Sequence, residues 1–257
     1  MPLVRNPKSQ PRRSRIETGI ASKTAPYITL ILAVILILAA CGDSRQPDDS
    51  AAPAAVMPES FTFFDLGINS RLDEKTREKL SNELGRDAIE DRSIMDLEIN
   101  YKGFLQKYFP NLNELNLALN FPPGERVEHN AVKLMYRYAL KKSVPFDYVE
   151  LRFSDYNKAP LWFKINFRQD DAGIVDTLKS KYGQAQEIAW GEENGQSDYW
   201  IKNSDVLIVS QIPDQFGKPR YQIVIYFVRN LKQLIANEKK ERQKKTRQLN
   251  QGGKTAF

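Results

Sequence analysis

Apolar and polar positions divide the chain into three regimes. Ile28 to Ala40 is a run of thirteen nearly apolar residues, residues 42–60 have almost nothing to bury, and from Phe61 apolar positions recur at helical and strand spacings. Phe61–Leu66 reads as a short strand. Ser70, with Asp73 three positions on, predicts a capped helix that runs to Leu84 and stops at Gly85. Lys102–Tyr108 predicts a second helix, broken by Pro110. A third follows, with Asn111 and Glu114 as a capping pair and Leu112, Leu115 and Leu119 on one face; Pro122-Pro123-Gly124 ends it.

The period then changes to two. Val132, Leu134, Tyr136 and Tyr138 alternate with Lys133, Met135 and Arg137, and Tyr148–Phe153 and Leu161–Phe167 flank a turn at Asp155–Pro160, the pattern of a hairpin. A short helix capped near Asp170 or Asp171 carries Ile174, Leu178 and Tyr182 at spacing four and closes at Gly183. Glu187–Gly191 and Asp198–Ile201 are joined around Asn194-Gly195, a tight-turn pair. Val206–Gln211 and Tyr221–Val228 are joined across Pro213–Pro219. A last helix starts near Asn230, with Leu231, Leu234 and Ile235, and fades into the charged run from Lys239 to Arg247.

Helices alternating with short antiparallel strands predict an α+β fold: antiparallel sheets with packed helices. The order helix–strands–helix–strands also raises an internal duplication of a helix-plus-meander unit. Phe146–Phe167 and Ser204–Phe227 match in outline about 60 residues apart, each with a proline in the turn (Pro160, Pro219) and a terminal phenylalanine. Coincidence between two amphipathic hairpins is the competing explanation. The expected organisation is a leader over 1–40, a tether over 41–60, α+β units over 61–168 and 169–237, and a basic tail over 238–257.

The apolar run is too short to span a bilayer, which takes about 20 helical residues. Basic residues precede it, small residues end it, and Gly42-Asp43-Ser44 stops it, the anatomy of an export signal. Leu38-Ala39-Ala40-Cys41 resembles the lipobox of bacterial lipoproteins. That resemblance implies recognition of Leu38, Ala39 and Ala40 by the signal peptidase, cleavage before Cys41, a diacylglyceryl thioether on Cys41 and acylation, such as palmitate, of the freed amine. It also implies a membrane-anchored, extracytoplasmic protein. Family members with Asp after the cysteine stay in the inner membrane; Gly42 here points to the outer membrane, facing the periplasm, where the organism has two. Arg12-Arg13 is followed by Ser14-Arg15-Ile16 rather than an apolar pair, which argues against the twin-arginine route. The Leu84-Gly85 and Tyr182-Gly183 helix ends are similar to those of small helix-then-three-strand periplasmic lipoproteins of the SmpA/OmlA type, a resemblance over about half the chain that carries over no functional residue.

Charge changes meaning once it is divided this way. The chain holds 38 basic and 32 acidic residues, yet residues 1–40 alone hold six basic and one acidic, and residues 239–257 hold seven basic and one acidic. The body between is mildly acidic, so the basic total is no sign of nucleic-acid binding. The tail cations Lys239, Lys240, Arg242, Lys244, Lys245 and Arg247 are candidates for an anionic surface, against the plainer reading of a solvated helix end. With one cysteine, neither an intrachain disulfide nor a thiolate metal cluster can form.

Candidate chemistry is sparse. His129, the single histidine, sits between Glu128 and Asn130 before a strand, and reads as a surface or turn residue. The carboxylate groups at Asp48-Asp49, Asp87 to Asp91, Asp170-Asp171 and Glu192-Glu193 fall where helix caps and turns are expected. There is no nucleophile elbow, phosphate-binding glycine loop or EF-hand motif. The sequence therefore assigns no catalytic residue, metal ligand or cofactor. It predicts a non-catalytic binding module of the cell envelope with a protein partner. Two alternatives stay open: a carrier of a small apolar ligand or lipid, its aromatic residues Tyr136, Tyr138, Trp162, Trp190, Trp200, Tyr221 and Tyr226 facing a cavity, and an envelope hydrolase, which needs clustered polar groups in a cleft, such as two acidic residues near His129.

Overall fold

The structure, a computed structural model, describes residues 59–137, 145–167, 173–191, 195–213 and 219–255. The leader, Cys41, most of the tether, Tyr138, Asp170, Asp171, Glu192, Glu193 and Asn194 lie outside the described residues.

The chain is an α+β protein whose strands form one continuous sheet rather than several. Its elements are α1 (Glu74–Leu84), β1 (Ala88–Asp91), α2 (Phe104–Tyr108), α3 (Pro110–Leu119), β2 (Ala131–Arg137), β3 (Tyr148–Ser154), β4 (Pro160–Phe167), α4 (Ile174–Tyr182), β5 (Gln186–Trp190), β6 (Gly195–Lys202), β7 (Asp205–Pro213), β8 (Pro219–Tyr226) and α5 (Val228–Thr255). The eight strands are ordered β1-β2-β3-β4-β8-β7-β6-β5, every neighbouring pair antiparallel.

That order is two four-stranded meanders meeting at their last strands. Lys164 of β4 lies opposite Val224 of β8, so the halves are related by an approximate two-fold axis normal to the sheet. Equivalence extends to the preceding helices. α1 ends at Gly85 with φ 84° and α4 at Gly183 with φ 86°, and a strand follows three residues later in each case. The unit is thus a helix and four strands, in the first half one strand more than the pattern predicts. The extra β1 is four residues long, too short for alternation to reveal.

The period-two pattern gives each sheet face its own core. On one face Leu134, Tyr136, Leu151, Phe163, Ile165, Leu207 and Ile225 pack beneath α1 and α4, which contribute Leu80 and Leu84, and Leu178 and Tyr182. On the other, Trp162, Ile208, Val224 and Tyr226 pack beneath α2, α3 and α5 through Phe104, Leu105, Leu112, Leu115, Leu231 and Leu234. A register shift between Arg152 and Phe153 pairs Phe153 with Pro160. Such an irregularity breaks strict alternation, and both Leu161 and Trp162 join the second core.

Several local expectations are corrected. Phe61–Leu66 is no strand: Phe64 and Asp65 adopt φ of 48° and 61°, and only an isolated bridge joins Phe63 to Leu66. Asp73, not Ser70, caps α1, accepting from Thr76 N at 2.7 Å, while Ser70 Oγ accepts from Gly67 N. The Asn111–Glu114 capping pair does not form, because α3 starts with Pro110, whose missing N–H costs nothing at a helix start. α5 does not fade at Lys239. It continues for 28 residues in all, exposed from Lys239 to Gln251. No helix among the described residues is long and apolar enough to cross a membrane.

Candidate functional site

The second face is only partly covered by helices. Where α2 and α3 leave the sheet open, the segment 96–103, α3 and the ends of β4, β7 and β8 enclose a groove of about 770 Å³. Lys164 rises into it from the central strand. Asn100 and Tyr101 form one wall, Asn113, Asn116 and Asn120 line the facing side of α3, and Ile212 and Gln222 come from β7 and β8.

The segment 96–103 is held by its own carboxylates. Glu98 accepts from Gly103 N (3.2 Å) and Leu105 N (3.0 Å), which fixes the start of α2. Asp96 accepts from Glu98 N (3.0 Å) and Asn116 Nδ2 (3.1 Å). Tyr226, fully buried below, donates to Leu97 O at 2.6 Å. These acids are consumed in shaping the wall. Asn100 Oδ1 and Gln222 Oε1, also in the wall, are buried without a partner among the described residues.

Beside Lys164 lies a buried ionic cluster on β3. Arg152 donates through Nε to Glu150 Oε1 at 2.6 Å, and through Nη1 to Ser93 Oγ (2.8 Å) and Ile94 O (2.7 Å). Its guanidinium stands 5.1 Å from the centre of the Trp162 ring. Tyr148 donates to the other Glu150 oxygen at 2.5 Å. Burial pushes the Glu150 carboxyl up, but the charge of Arg152 and the bonds from Tyr148 and Arg152 outweigh it and hold the group below its ordinary value. Burial, then Glu150, pushes the Tyr148 phenol well up.

Lys164 is left out of this pairing. It is the direct cross-strand partner of Glu150, whose two oxygens are taken by Arg152 and Tyr148. Among the described residues its ammonium has neither a hydrogen bond nor an ion pair. Burial lowers its pKa, an effect the Glu150 charge opposes and the Arg152 charge reinforces. A half-buried cation without a partner carries part of its desolvation cost unrelieved. An acceptor brought into the groove relieves that cost.

A second polar cluster surrounds His129. The residue is 1% exposed rather than at the surface, because α5 crosses above it. Nδ1 lies 2.9 Å from Glu238 Oε2, and Glu238 Oε1 accepts from Asn130 N at 3.0 Å. Tyr156 donates to Glu241 at 2.8 Å, and Asn130 Nδ2 donates to Tyr156 at 2.7 Å. One acidic group, Glu238, therefore contacts His129, while Glu241 is held by Asn130 and Tyr156. His129 itself is not an accessible base: Nδ1 is occupied, and Nε2 is sealed from solvent without a partner among the described residues. A general base must reach the proton it takes. The cluster is a clamp that fixes α5 to the sheet.

The remaining sequence candidates fall apart spatially. Asp87 pairs with Arg77 at 3.2 Å, and among the described residues no group of acids, histidines or cysteines is placed to hold a metal. Tyr136, Trp162, Trp200 and Tyr226 are buried in the two cores, and Trp190 and Tyr221 pack against them; Trp200 and Tyr221 also border two small open pockets. The sequence reading missed Lys164, Glu150 and Arg152, since charges at alternate strand positions look like a solvent face. The available signal was their meeting in one hairpin, where Glu150 and Lys164 become opposite residues.

The fold and groove define an α+β protein built from two helix-plus-four-strand units on a shared antiparallel sheet. Comparison with family models, curated proteins and solved structures finds no match to this chain.

Proposed function

We propose that this chain is a lipid-anchored, extracytoplasmic binding module that holds a protein component of the cell envelope through the groove over Lys164. The observation that carries the binding site is the half-buried Lys164 ammonium, without a partner among the described residues, at the floor of an open groove. The anchor rests on Leu38-Ala39-Ala40-Cys41 and the apolar run before it. Gly42 favours the outer membrane as the site of that anchor in a two-membrane envelope.

The groove suits an extended segment carrying an acidic or hydroxyl group, which supplies the acceptor that Lys164 lacks while amide side chains meet the backbone. The carrier alternative loses support, because Tyr136, Trp162, Trp200 and Tyr226, four of the aromatics that were to line its cavity, are buried in the cores. A hydrolase lacks a reachable base at His129.

A photo-reactive residue at Asn113, on the groove wall, tests the reading in the native envelope. An adduct with an envelope protein is expected, and Lys164→Gln abolishes it. No adduct beyond that obtained from Glu83, exposed on the opposite face, rejects the groove as a binding site.

A further inference from the structure

Leu117, in the last turn of α3, and Phe121, two residues past its end, are 63% and 61% exposed. Beside them runs the projecting half of α5, where Arg242 Nη1 reaches Phe121 O at 3.5 Å. From Lys239 to Gln251 this helix carries six cations against Glu241 alone, every residue exposed. Phe121 thus protrudes next to a dense positive charge, and Leu117, at the rim of the groove four residues earlier, is exposed with it.

We propose that this corner is a second membrane contact: Leu117 and Phe121 enter the interfacial zone of a bilayer while the cations of α5 lie on anionic lipid headgroups. The inference rests on the anchored reading above. Charge selects the occupant. A neutral surface offers the cations nothing, whereas an anionic leaflet attracts each Lys or Arg and receives the exposed apolar pair. The cations of 239–247 point around the whole circumference of the helix, so α5 supplies charge and α3 the apolar insertion.

Distance permits both contacts at once. Asp205 accepts hydrogen bonds from Ser60, at the end of the tether, and from Val228 N, at the start of α5. Arg242 is fourteen residues further along, about 21 Å at 1.5 Å per residue. The eighteen residues between Cys41 and Ser60 span at most about 60 Å. The chain from the anchor is therefore long enough for the corner to reach the same leaflet.

The test uses the full lipidated chain carrying Leu117→Cys, labelled there with an environment-sensitive dye and reconstituted on vesicles. On phosphatidylcholine alone the dye stays in water. With phosphatidylglycerol added, its emission rises and shifts to the blue, and high salt reverses the change. Replacing Lys239, Lys240, Lys244 and Lys245 by Gln weakens the response, about fivefold in association for each cation lost. Equal emission on neutral and anionic vesicles overturns the proposal, as does a response to soluble polyphosphate with none to vesicles. Failure of the anchor itself reads differently: the protein then does not float with neutral vesicles at all.

Discussion

Asp205 opens β7 with a side chain shut off from solvent, at 0% exposure. Its carboxyl receives the Ser60 hydroxyl and, at 2.9 Å, Val228 N. Burial raises its pKa from the ordinary 3.8 to about 6, and the two hydrogen bonds only partly oppose this. The folded protein therefore binds the proton more tightly than the unfolded chain does. The stability this contributes is fully present below about 3.8 and is lost as pH rises through about 6. Each tenfold gain in proton affinity is worth about 1.4 kcal/mol, so the loss is about 2–3 kcal/mol. Asp205→Asn keeps both contacts, its oxygen accepting from Val228 N and its amide donating to Ser60, without a charge to bury. Urea unfolding is expected to show the variant more stable than the parent by about 2–3 kcal/mol at about pH 7.5 and equal to it near pH 3.5. A variant weakened equally at both pH values refutes the reasoning, because it means that the carboxylate is not the strained form.

Three further outcomes follow from single features. His129→Ala removes the clamp on Glu238 and leaves a buried carboxylate short of a partner, a loss of about 2 kcal/mol; amide exchange along 228–238 accelerates, and unchanged exchange there contradicts the clamp. Gly183→Ala meets open space at its Cβ, yet φ is 86°, so backbone strain alone costs about 1 kcal/mol or more; a thermal midpoint equal to the parent's disproves that account. Cys41→Ser is expected to keep its leader and gain no lipid by mass spectrometry, and a variant that matures to the parent's size removes the anchor.

Legibility in the sequence followed the range of the interaction. Helix ends were readable where one residue decides them: Gly85 and Gly183 both close helices at positive φ. The β3–β4 hairpin was readable because alternation and turn residues are local. Ser70 and the Asn111–Glu114 pair misled because capping chemistry was present but a better cap, Asp73, or a proline start prevailed. The candidate site was almost invisible. Glu150, Arg152 and Lys164 look like solvent-facing charges until β3 and β4 pair and the segment 96–103 covers that face. His129 became a buried residue only because α5, a hundred residues later, lies over it.

The sequence by itself determined the class, helices and antiparallel strands of α+β type, and it supplies the motif from which an address is proposed, an apolar run ending in Leu38-Ala39-Ala40-Cys41 before the polar residues 42–60. Hydrophobic period, turn residues and charge blocks are properties of neighbouring positions, so a linear reading captures them. Only the tertiary structure decided that β4 and β8 pair to fuse two meanders into one sheet, that Lys164 stands in a groove without a partner among the described residues, and that the basic half of α5 stands beside Phe121. Each of these depends on which distant backbone edges and faces come together, a choice that burial makes across the whole chain.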